Sequence, residues 1–281
     1  MSNPLGNRAR VHELRRGVRR RTPLGPRAPR VVGSHPRSER WVSERTASRV
    51  PSGHSFDADI FTGVTGAARP VVVGIADHSG WANLVTIGAG PDGAPLVVGR
   101  RRYDIVGPDD VRQPYHAAAG LDEAGAEALV ASVSAVAATG ARAALADLAA
   151  VLAARGDGDG GAAAIVALAM RSGSDRALPS TMAGILARHA AMHMAEGELY
   201  REAWAAAADE RGVPVALHPR GEAESMAAAA LGTTVDRLTG LLSALGQPLG
   251  APWRAEHKEA AAAALAELAE HTRLVVPGPG G

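Results

Sequence analysis

The stretch PVVVGIADHSGWANLVTIGAGPDGAPLVVGRRRYDIV, residues 70–106, decides the fold. It contains three apolar, β-branched runs at 71–76, 81–88 and 95–106, and two clusters of turn residues, DHSG and GPDG, separate them. Runs of this kind joined by short turns predict an antiparallel meander of three strands. The charged middle of the third run, GRRRYD, predicts that this strand exposes one face or lies at the edge of the sheet.

After the meander, helical and strand-like patterns alternate, with lengths typical of both kinds of element. The predicted segments are a helix at 121–156 that breaks near Gly140, a strand at 162–170, a long helix from Pro179 to Gly212, a strand at 213–219, helices at 222–231 and 234–246, and a last helix that Pro252 opens and that ends near His271. This order predicts an α/β fold, a mixed five-stranded sheet with helices on both faces. We expect one α/β domain over residues 70–275 and a frayed tail at 276–281.

Charge divides the chain into two parts. Residues 1–50 contain thirteen arginines and three glutamates, a net charge of +10, and the remaining 17 basic and 26 acidic residues give −9. Residues 1–69 carry Pro, Ser and Arg without an apolar period, which predicts a disordered arm. Such an arm could bind nucleic acid, act as a targeting peptide, or be upstream sequence added by a wrongly assigned start codon.

Composition excludes several kinds of site. The chain has no cysteine, which excludes disulfides, zinc–thiolate sites, iron–sulfur clusters and cysteine nucleophiles. Lys258 is the single lysine, so no phosphate-binding lysine of the Walker type lies elsewhere. No run of about 18 apolar residues is free of charges and glycine, which predicts a cytoplasmic protein that does not span a membrane.

The predicted helix from Pro179 carries polar residues on an otherwise apolar face. At 100° per residue, His189, His193 and Glu196 share one direction with apolar residues before and after them. A histidine pair at i, i+4 can converge on one ion, and Glu196 lies about one turn further. The alternative is that all three are core residues with internal hydrogen bonds, or that Glu196 pairs with an arginine.

Two other clusters are candidate sites. Asp77 directly follows a fully apolar strand, in DHSG, where a carboxylate can face a metal or a phosphate, although the same residues suit an ordinary turn. Glu256 lies in the charged first turn of the last helix, where helical projection turns His257 towards the core. His116 and His218, each beside a proline, are less specific candidates.

The order of elements resembles the ribonuclease H-like superfamily, which includes Holliday-junction resolvases and the sugar-kinase and actin-type ATPases. Members share a three-stranded meander, then α-β-α-β-α, with an acidic residue at the end of the first strand. Asp77 in GIADHSGWANLV is similar to that residue, and the DxSG turn is similar to the phosphate turn of the ATPase branch. Other segments, such as HMAEGELYREA and PWRAEHKEA, resemble those of small uncharacterised bacterial proteins, and this likeness implies no activity.

The nuclease branch of this superfamily uses carboxylates on the first strand, a central element and the last helix to bind two metal ions. The resemblance therefore implies that Asp77, Glu196 and Glu256 bind metal. The fourth strand ends in AMRSGSD and carries no acidic residue at its end, so the central carboxylate has to be Glu196, on a helix. The ATPase branch would need a second similar domain, for which the chain is too short.

These observations lead to one main hypothesis and two alternatives. The main hypothesis is a bacterial metal-dependent nuclease or resolvase-like phosphodiesterase that acts on nucleic acid with Mg or Mn. Asp77, Glu196 and His193 would be catalytic, and Asp77, Glu196, His189 and Glu256 would bind metal. The first alternative is a non-catalytic scaffold with His189, His193 and Glu196 in a buried polar network. The second is a hydrolase with one metal ion on those three residues.

Overall fold

A computed structural model describes residues 68–155 and 162–276. The arm predicted at 1–69 lies outside these residues except for its last two, and so does the predicted tail except for its first residue. The single domain expected over 70–275 stays a prediction.

Five strands form one mixed sheet in the described residues. They are β1 (Arg69–His78), β2 (Trp81–Ala89), β3 (Pro95–Asp104), β4 (Ala163–Arg171) and β5 (Val215–His218). The order across the sheet is β3-β2-β1-β4-β5. The meander β1-β2-β3 is antiparallel, and β4 and β5 continue the sheet parallel to β1. The predicted mixed five-stranded sheet is confirmed, and β3 lies at an edge.

Helices cover both faces of the sheet. They are α1 (Pro114–Ala118), α2 (Glu123–Ala154), α3 (Met182–Leu186), α4 (His189–Asp209), α5 (Ala223–Ala230), α6 (Val235–Gly246) and α7 (Ala255–His271), with a 3-10 turn at Gln247–Leu249. On one face, Val71, Val73 and Ile75 pack with buried residues of α2 and α4. On the other face, Val72 packs with α5, α6 and α7. Burial of alternate β1 residues on opposite faces follows from the two-residue period of a strand.

Two glycines explain how the layers fit. A Cβ atom at Gly74 would overlap the backbone of Ala260, so glycine lets α7 rest directly on β1. Gly140 does not break α2, contrary to the sequence prediction. A Cβ atom there would overlap the backbone of Ile105, so this glycine allows close approach of the loop after β3.

Helix α2 is also long and apolar enough to cross a membrane by length and composition. Its buried residues, among them Val133, Leu145 and Leu152, belong to the core formed with β1 and α4. This contact is typical of a core helix that packs on a sheet.

The long helix predicted from Pro179 is divided in the structure. Arg188 has extended backbone angles, φ −136° and ψ 113°, so α3 ends before it and α4 begins at His189. The predicted face is therefore not continuous, because its first apolar residues belong to α3. His189 and His193 are exposed rather than core-facing, whereas Glu196 is buried.

The start of the last helix also differs from the prediction. Helix α7 begins at Ala255, three residues after Pro252, which follows a cis peptide bond. His257 is buried as predicted, at 3% exposure, and its Nδ1 accepts a hydrogen bond of 3.0 Å from the backbone N–H of Arg254. This contact satisfies one backbone donor at the start of the helix.

Candidate functional site

Asp77 lies near the end of β1 and is held by two arginines. Its side chain is 6% exposed, and its carboxylate oxygens lie 3.6 Å from Arg171 Nη2 and 3.3 Å from Arg201 Nη1. Arg171 is the last residue of β4, the parallel neighbour of β1, and Arg201 lies on α4. Two guanidinium groups compensate the carboxylate and repel a divalent cation. These ion pairs disfavour a metal ion at Asp77, whose role as a metal ligand stays a prediction.

Arg201 connects Asp77 to the exposed side of α4. Its Nη2 also donates to Glu198 Oε2. Its Nε is buried and has no hydrogen-bond partner among the described residues. The guanidinium thus lies between two carboxylates, and its buried Nε–H has no partner in the described residues.

Glu256, in the first turn of α7, is likewise satisfied by internal partners. Its Oε2 lies 3.0 Å from His78 Nε2, and its Oε1 accepts from Asn83 Nδ2 at 3.1 Å. The ring of His78 stacks on Trp81 with a centroid separation of 3.8 Å. This network fixes the hairpin β1-β2 against α7. Asp77 and Glu256 line one small cavity, and both have internal partners; the predicted site for two magnesium or manganese ions stays a prediction.

Glu196 is 2% exposed, and its main partner is His116 on α1. Its Oε1 accepts from His116 Nδ1 at 2.8 Å and from the backbone N–H of the same residue at 3.3 Å. Its Oε2 makes no hydrogen bond within the described residues and lies 3.8 Å from His193 Nδ1. One carboxylate oxygen is thus fully used, and the other faces a second histidine.

Three histidines from α1 and α4 converge beside this carboxylate. His116 Nε2 lies 3.3 Å from His189 Nδ1, and His189 Nε2 lies 3.0 Å from His193 Nε2. One nitrogen of each ring can be chosen so that all three lie within 4.8 Å of one another. We call His116, His189 and His193 the tri-histidine cluster. Imidazole nitrogen is a preferred ligand of zinc and similar ions, so the cluster is a candidate metal site.

Tyr200 lies one turn after Glu196 and has a structural role. Its hydroxyl donates to the backbone carbonyl of Arg112 at 2.7 Å. Burial, together with the negative charge of Glu196, raises the pKa of Tyr200 to about 12. The hydroxyl stays protonated at neutral pH. It helps to anchor the segment that precedes α1, the helix that carries His116.

A cavity of about 620 Å³ opens at the end of β1 and β4. We call it the main cavity. Predicted residues that line it are Asp77, His193 and Glu196, and other lining residues are Arg171, Arg201 and Arg220. A smaller cavity of about 80 Å³ is lined by Asp77 and Glu256. The structure thus brings Asp77, His193 and Glu196 to one cavity and Asp77 and Glu256 to another, with His189 outside both linings.

Three residues of this site, His116, Arg171 and Arg201, were hard to predict from the sequence. From the sequence, His116 is only a less specific candidate near Pro114, although in the structure it belongs to the tri-histidine cluster. Neither Arg171 nor Arg201 was predicted to pair with Asp77. The position of Arg171 could have been found, since the last residue of β4 must lie near the last residues of a parallel neighbour.

The strand order and connections are those of the ribonuclease H-like fold, an α/β fold with a mixed five-stranded sheet. Among solved structures, the chain is similar to T. thermophilus RuvC in complex with Holliday junction substrate, with 13% identity, TM-score 0.41, and 72% of this chain and 94% of that chain covered. It is also similar to the Thermus thermophilus RuvC structure, with 14% identity, TM-score 0.39, and 72% and 95% covered. No protein-family model matches the sequence, and no curated protein matches it.

Proposed function

We propose that this protein is a metal-dependent phosphodiesterase, of the nuclease type, that acts in the main cavity. One observation carries the proposal. The main cavity joins guanidinium groups, which bind phosphate, to His193 and Glu196 beside a cluster of metal-binding side chains. Phosphodiester hydrolysis needs both parts, a cationic site for the phosphate and a means to activate water.

The phosphate side of the cavity is formed by Arg171 and Arg220. Arg220 is exposed, lines the cavity and has no ion-pair partner among the described residues. Asp77 holds Arg171 and Arg201 in place and so acts as a positioning residue. Guanidinium forks of this kind suit the bidentate binding of phosphate oxygens.

The water-activating side of the cavity is formed by His193 and Glu196. A divalent ion beside His193 would lower the pKa of a bound water and polarise the phosphate. Glu196 orients His116 through the hydrogen bond between Oε1 and Nδ1. The imidazole donors favour zinc over the magnesium or manganese expected from the sequence, because those two ions prefer oxygen ligands.

Nucleic acid is the proposed substrate, and the cytoplasm is the proposed location. The part of the chain after residue 50 has a net charge of −9, so phosphate binding there depends on local arginines rather than on net charge. The basic arm of residues 1–69 would add affinity for any nucleic acid without sequence preference.

Hydrolysis assays on the full chain test this proposal. The substrates are bis(p-nitrophenyl) phosphate and labelled single-stranded, duplex and four-way-junction DNA, each with Mg²⁺, Mn²⁺ or Zn²⁺. We expect metal-dependent turnover, and at least about tenfold lower kcat/KM in Arg220→Ala. The matched control is Arg142→Ala, an exposed arginine paired with Glu210 on the outer side of α2. No turnover with any of the three ions, or equal losses in both variants, would refute the proposal.

The second candidate is a non-catalytic interaction protein on the same fold. The observation that favours it is that Asp77 and Glu256 both have internal cationic or hydrogen-bonding partners. Nucleases with two ions would need free carboxylates at these places. A stable full chain that binds DNA and hydrolyses no substrate with any ion would support this candidate.

A further inference from the structure

We propose that the tri-histidine cluster binds one transition-metal ion of the zinc type, with Glu196 as the carboxylate that orients two of its three ligands. This inference rests on the proposed function where it explains the metal dependence of hydrolysis, but binding itself is measurable without substrate. It replaces the predicted set of His189, His193 and Glu196, because His116 takes the place of the carboxylate beside the ion.

The spacing of the rings fits a single ion. Ligand nitrogens at about 2.0–2.1 Å from a tetrahedral zinc ion lie roughly 3.3 Å apart. The two shortest contacts, 3.3 Å from His116 Nε2 to His189 Nδ1 and 3.0 Å from His193 Nε2 to His189 Nε2, involve different nitrogens of His189. With one nitrogen taken from each ring, all three lie within 4.8 Å of one another. Small rotations of two exposed rings would bring one nitrogen of each histidine to a common ion.

Glu196 supplies the independent observation. His116 Nδ1 donates to Oε1, which leaves His116 Nε2 with a lone pair directed at the cluster. If His193 also binds the ion through Nε2, its Nδ1 carries a proton and faces Oε2, at present 3.8 Å away. The buried oxygen that has no hydrogen-bond partner in the described residues then gains one. A carboxylate behind metal-binding histidines is the usual way to fix their orientation.

Without an ion, the same groups do not match. A neutral hydrogen-bonded chain from His193 through His189 to His116 satisfies every contact between the rings. In this chain, however, His193 Nδ1 carries a lone pair and faces the carboxylate of Glu196, so two hydrogen-bond acceptors face each other. Either a metal ion or an extra proton on His193 removes this mismatch, and these two states are what the experiment separates.

Access to solvent indicates a site of the catalytic kind. The side chain of His193 is 52% exposed and that of His116 is 22% exposed. Structural zinc sites are closed by four protein ligands, whereas catalytic sites keep one position open for water or substrate. Three histidines with an exposed side leave such a position, and His193 also lines the main cavity.

Calorimetric titration of the full chain with Zn²⁺, in the presence of a competing chelator, tests the site. We expect one ion per chain, and at least about 100-fold weaker binding in His189→Gln and His193→Gln. Glu196→Gln should weaken binding about 10- to 100-fold. The matched control is His271→Gln, because His271 pairs with Glu267 at 3.1 Å and contacts no second histidine within residues 68–155 and 162–276. Circular dichroism checks folding, and the two exposed histidine variants decide the result if Glu196→Gln unfolds.

The results separate this inference from the proposed function. Unchanged Zn²⁺ affinity in His189→Gln, equal losses in His271→Gln, or no binding of Zn²⁺ at one ion per chain would overturn the metal site and favour a protonated His193. One-to-one Zn²⁺ binding without hydrolysis would support the site and refute the phosphodiesterase. Hydrolysis that needs Mg²⁺ in a chain that binds no Zn²⁺ would refute the site alone.

Discussion

Two groups of candidate metal ligands have different surroundings in the structure: the predicted acids Asp77 and Glu256, and the tri-histidine cluster, of which only His189 and His193 were expected from the sequence. The acids Asp77 and Glu256 each contact donors from neighbouring elements, Arg171 and Arg201 for the first, His78 and Asn83 for the second. In the tri-histidine cluster, His116 and His193 lie beside the carboxylate of Glu196, and His189 contacts both of these rings. Both carboxylates of the first group therefore have internal partners, whereas the second group leaves Glu196 Oε2 and His193 Nδ1 without complementary partners.

If the proposed metal site is correct, this difference distinguishes acids that stabilise the fold from histidines that bind an ion. Buried charged groups in a stable protein are paired, since an unpaired charge in the interior is strongly unfavourable. Asp77 and Glu256 both have such partners. Replacing either acid should therefore change the free energy of unfolding more than the affinity for metal. The histidines are mostly exposed, so their removal should affect binding more than stability.

The largest expected effect is that of Asp77→Asn on stability. The substitution removes the negative charge that faces Arg171 and Arg201 and leaves Arg201 with Glu198 alone, so we expect the free energy of unfolding to fall by about 3 kcal/mol. For a domain of this size the melting temperature should drop by roughly 6–12 °C. Urea denaturation measures the first quantity, and the affinity for Zn²⁺ should change less than about threefold.

Asp147→Asn is the control for this prediction. Asp147 accepts from the Tyr103 hydroxyl and pairs with Arg101, but its side chain is 55% exposed, so a loss below about 1 kcal/mol is expected. Loss of Zn²⁺ binding in Asp77→Asn, with the fold retained, would show that the ion lies at the carboxylate instead and would end the distinction between the two groups.

Zn²⁺ itself should give the next largest effect. At a free concentration 100 times its Kd, an ion that binds only the folded chain raises the free energy of unfolding by about 2.7 kcal/mol. The melting temperature should rise by roughly 5–10 °C in differential scanning calorimetry. His193→Gln should show no such rise, and Mg²⁺ should give none in the native chain. An equal rise with and without His193 would place the stabilising ion elsewhere.

The sequence predicted the sheet better than the site because the meander is encoded locally. Apolar runs and turn clusters lie next to each other in 70–106, so hairpin pairing needs no distant contact. The α3–α4 boundary was missed because neither Ala187 nor Arg188 is a helix breaker. The predicted helix break at Gly140 was wrong because this glycine allows the backbone of Ile105 to approach closely, which is a tertiary contact.

The candidate site was only half predictable for a related reason. The i, i+4 spacing of His189 and His193 belongs to one helix and is visible in the sequence. His116 reaches the cluster from a segment that is 73 residues away from His189 in the chain, and no local pattern encodes that contact. The arginines that hold Asp77 also come from distant elements. Residue types could suggest a metal site, but only tertiary packing decides which acids keep free oxygens.

The pH dependence of stability sharpens the contrast between a histidine that serves the fold and those of the cluster. Burial lowers the pKa of His257 below its ordinary value of 6.5, against the opposing charge of Glu256. The unfolded chain therefore takes up a proton near pH 6.5 while the folded chain does not, and stability falls as the pH decreases. The loss is at most about 1.4 kcal/mol per pH unit.

Urea denaturation at pH 6.5 and 5.5 checks this prediction. The native chain should lose more stability over this interval than His257→Gln, whose amide oxygen can still accept from the Arg254 N–H. His271→Gln, at an exposed position, should keep the native pH dependence. Identical pH dependence in the native chain and His257→Gln would show that this buried ring does not cause the loss of stability between pH 6.5 and 5.5.

The smallest effect is expected for Glu256→Gln. The side chains of Glu256 and His78 are 28% and 34% exposed, so solvent screens their attraction, and the glutamine can still accept from Asn83. We expect a loss of no more than about 1 kcal/mol in the free energy of unfolding and no change in Zn²⁺ affinity. Glu267→Gln is a close match, because Glu267 and His271 form a pair on the same helix with exposures of 23% and 33%. Similar losses in both variants would show that Glu256 forms an ordinary half-exposed pair. A loss of Zn²⁺ binding or of hydrolysis in Glu256→Gln alone would show that Glu256 belongs to the functional site and does not only stabilise the fold.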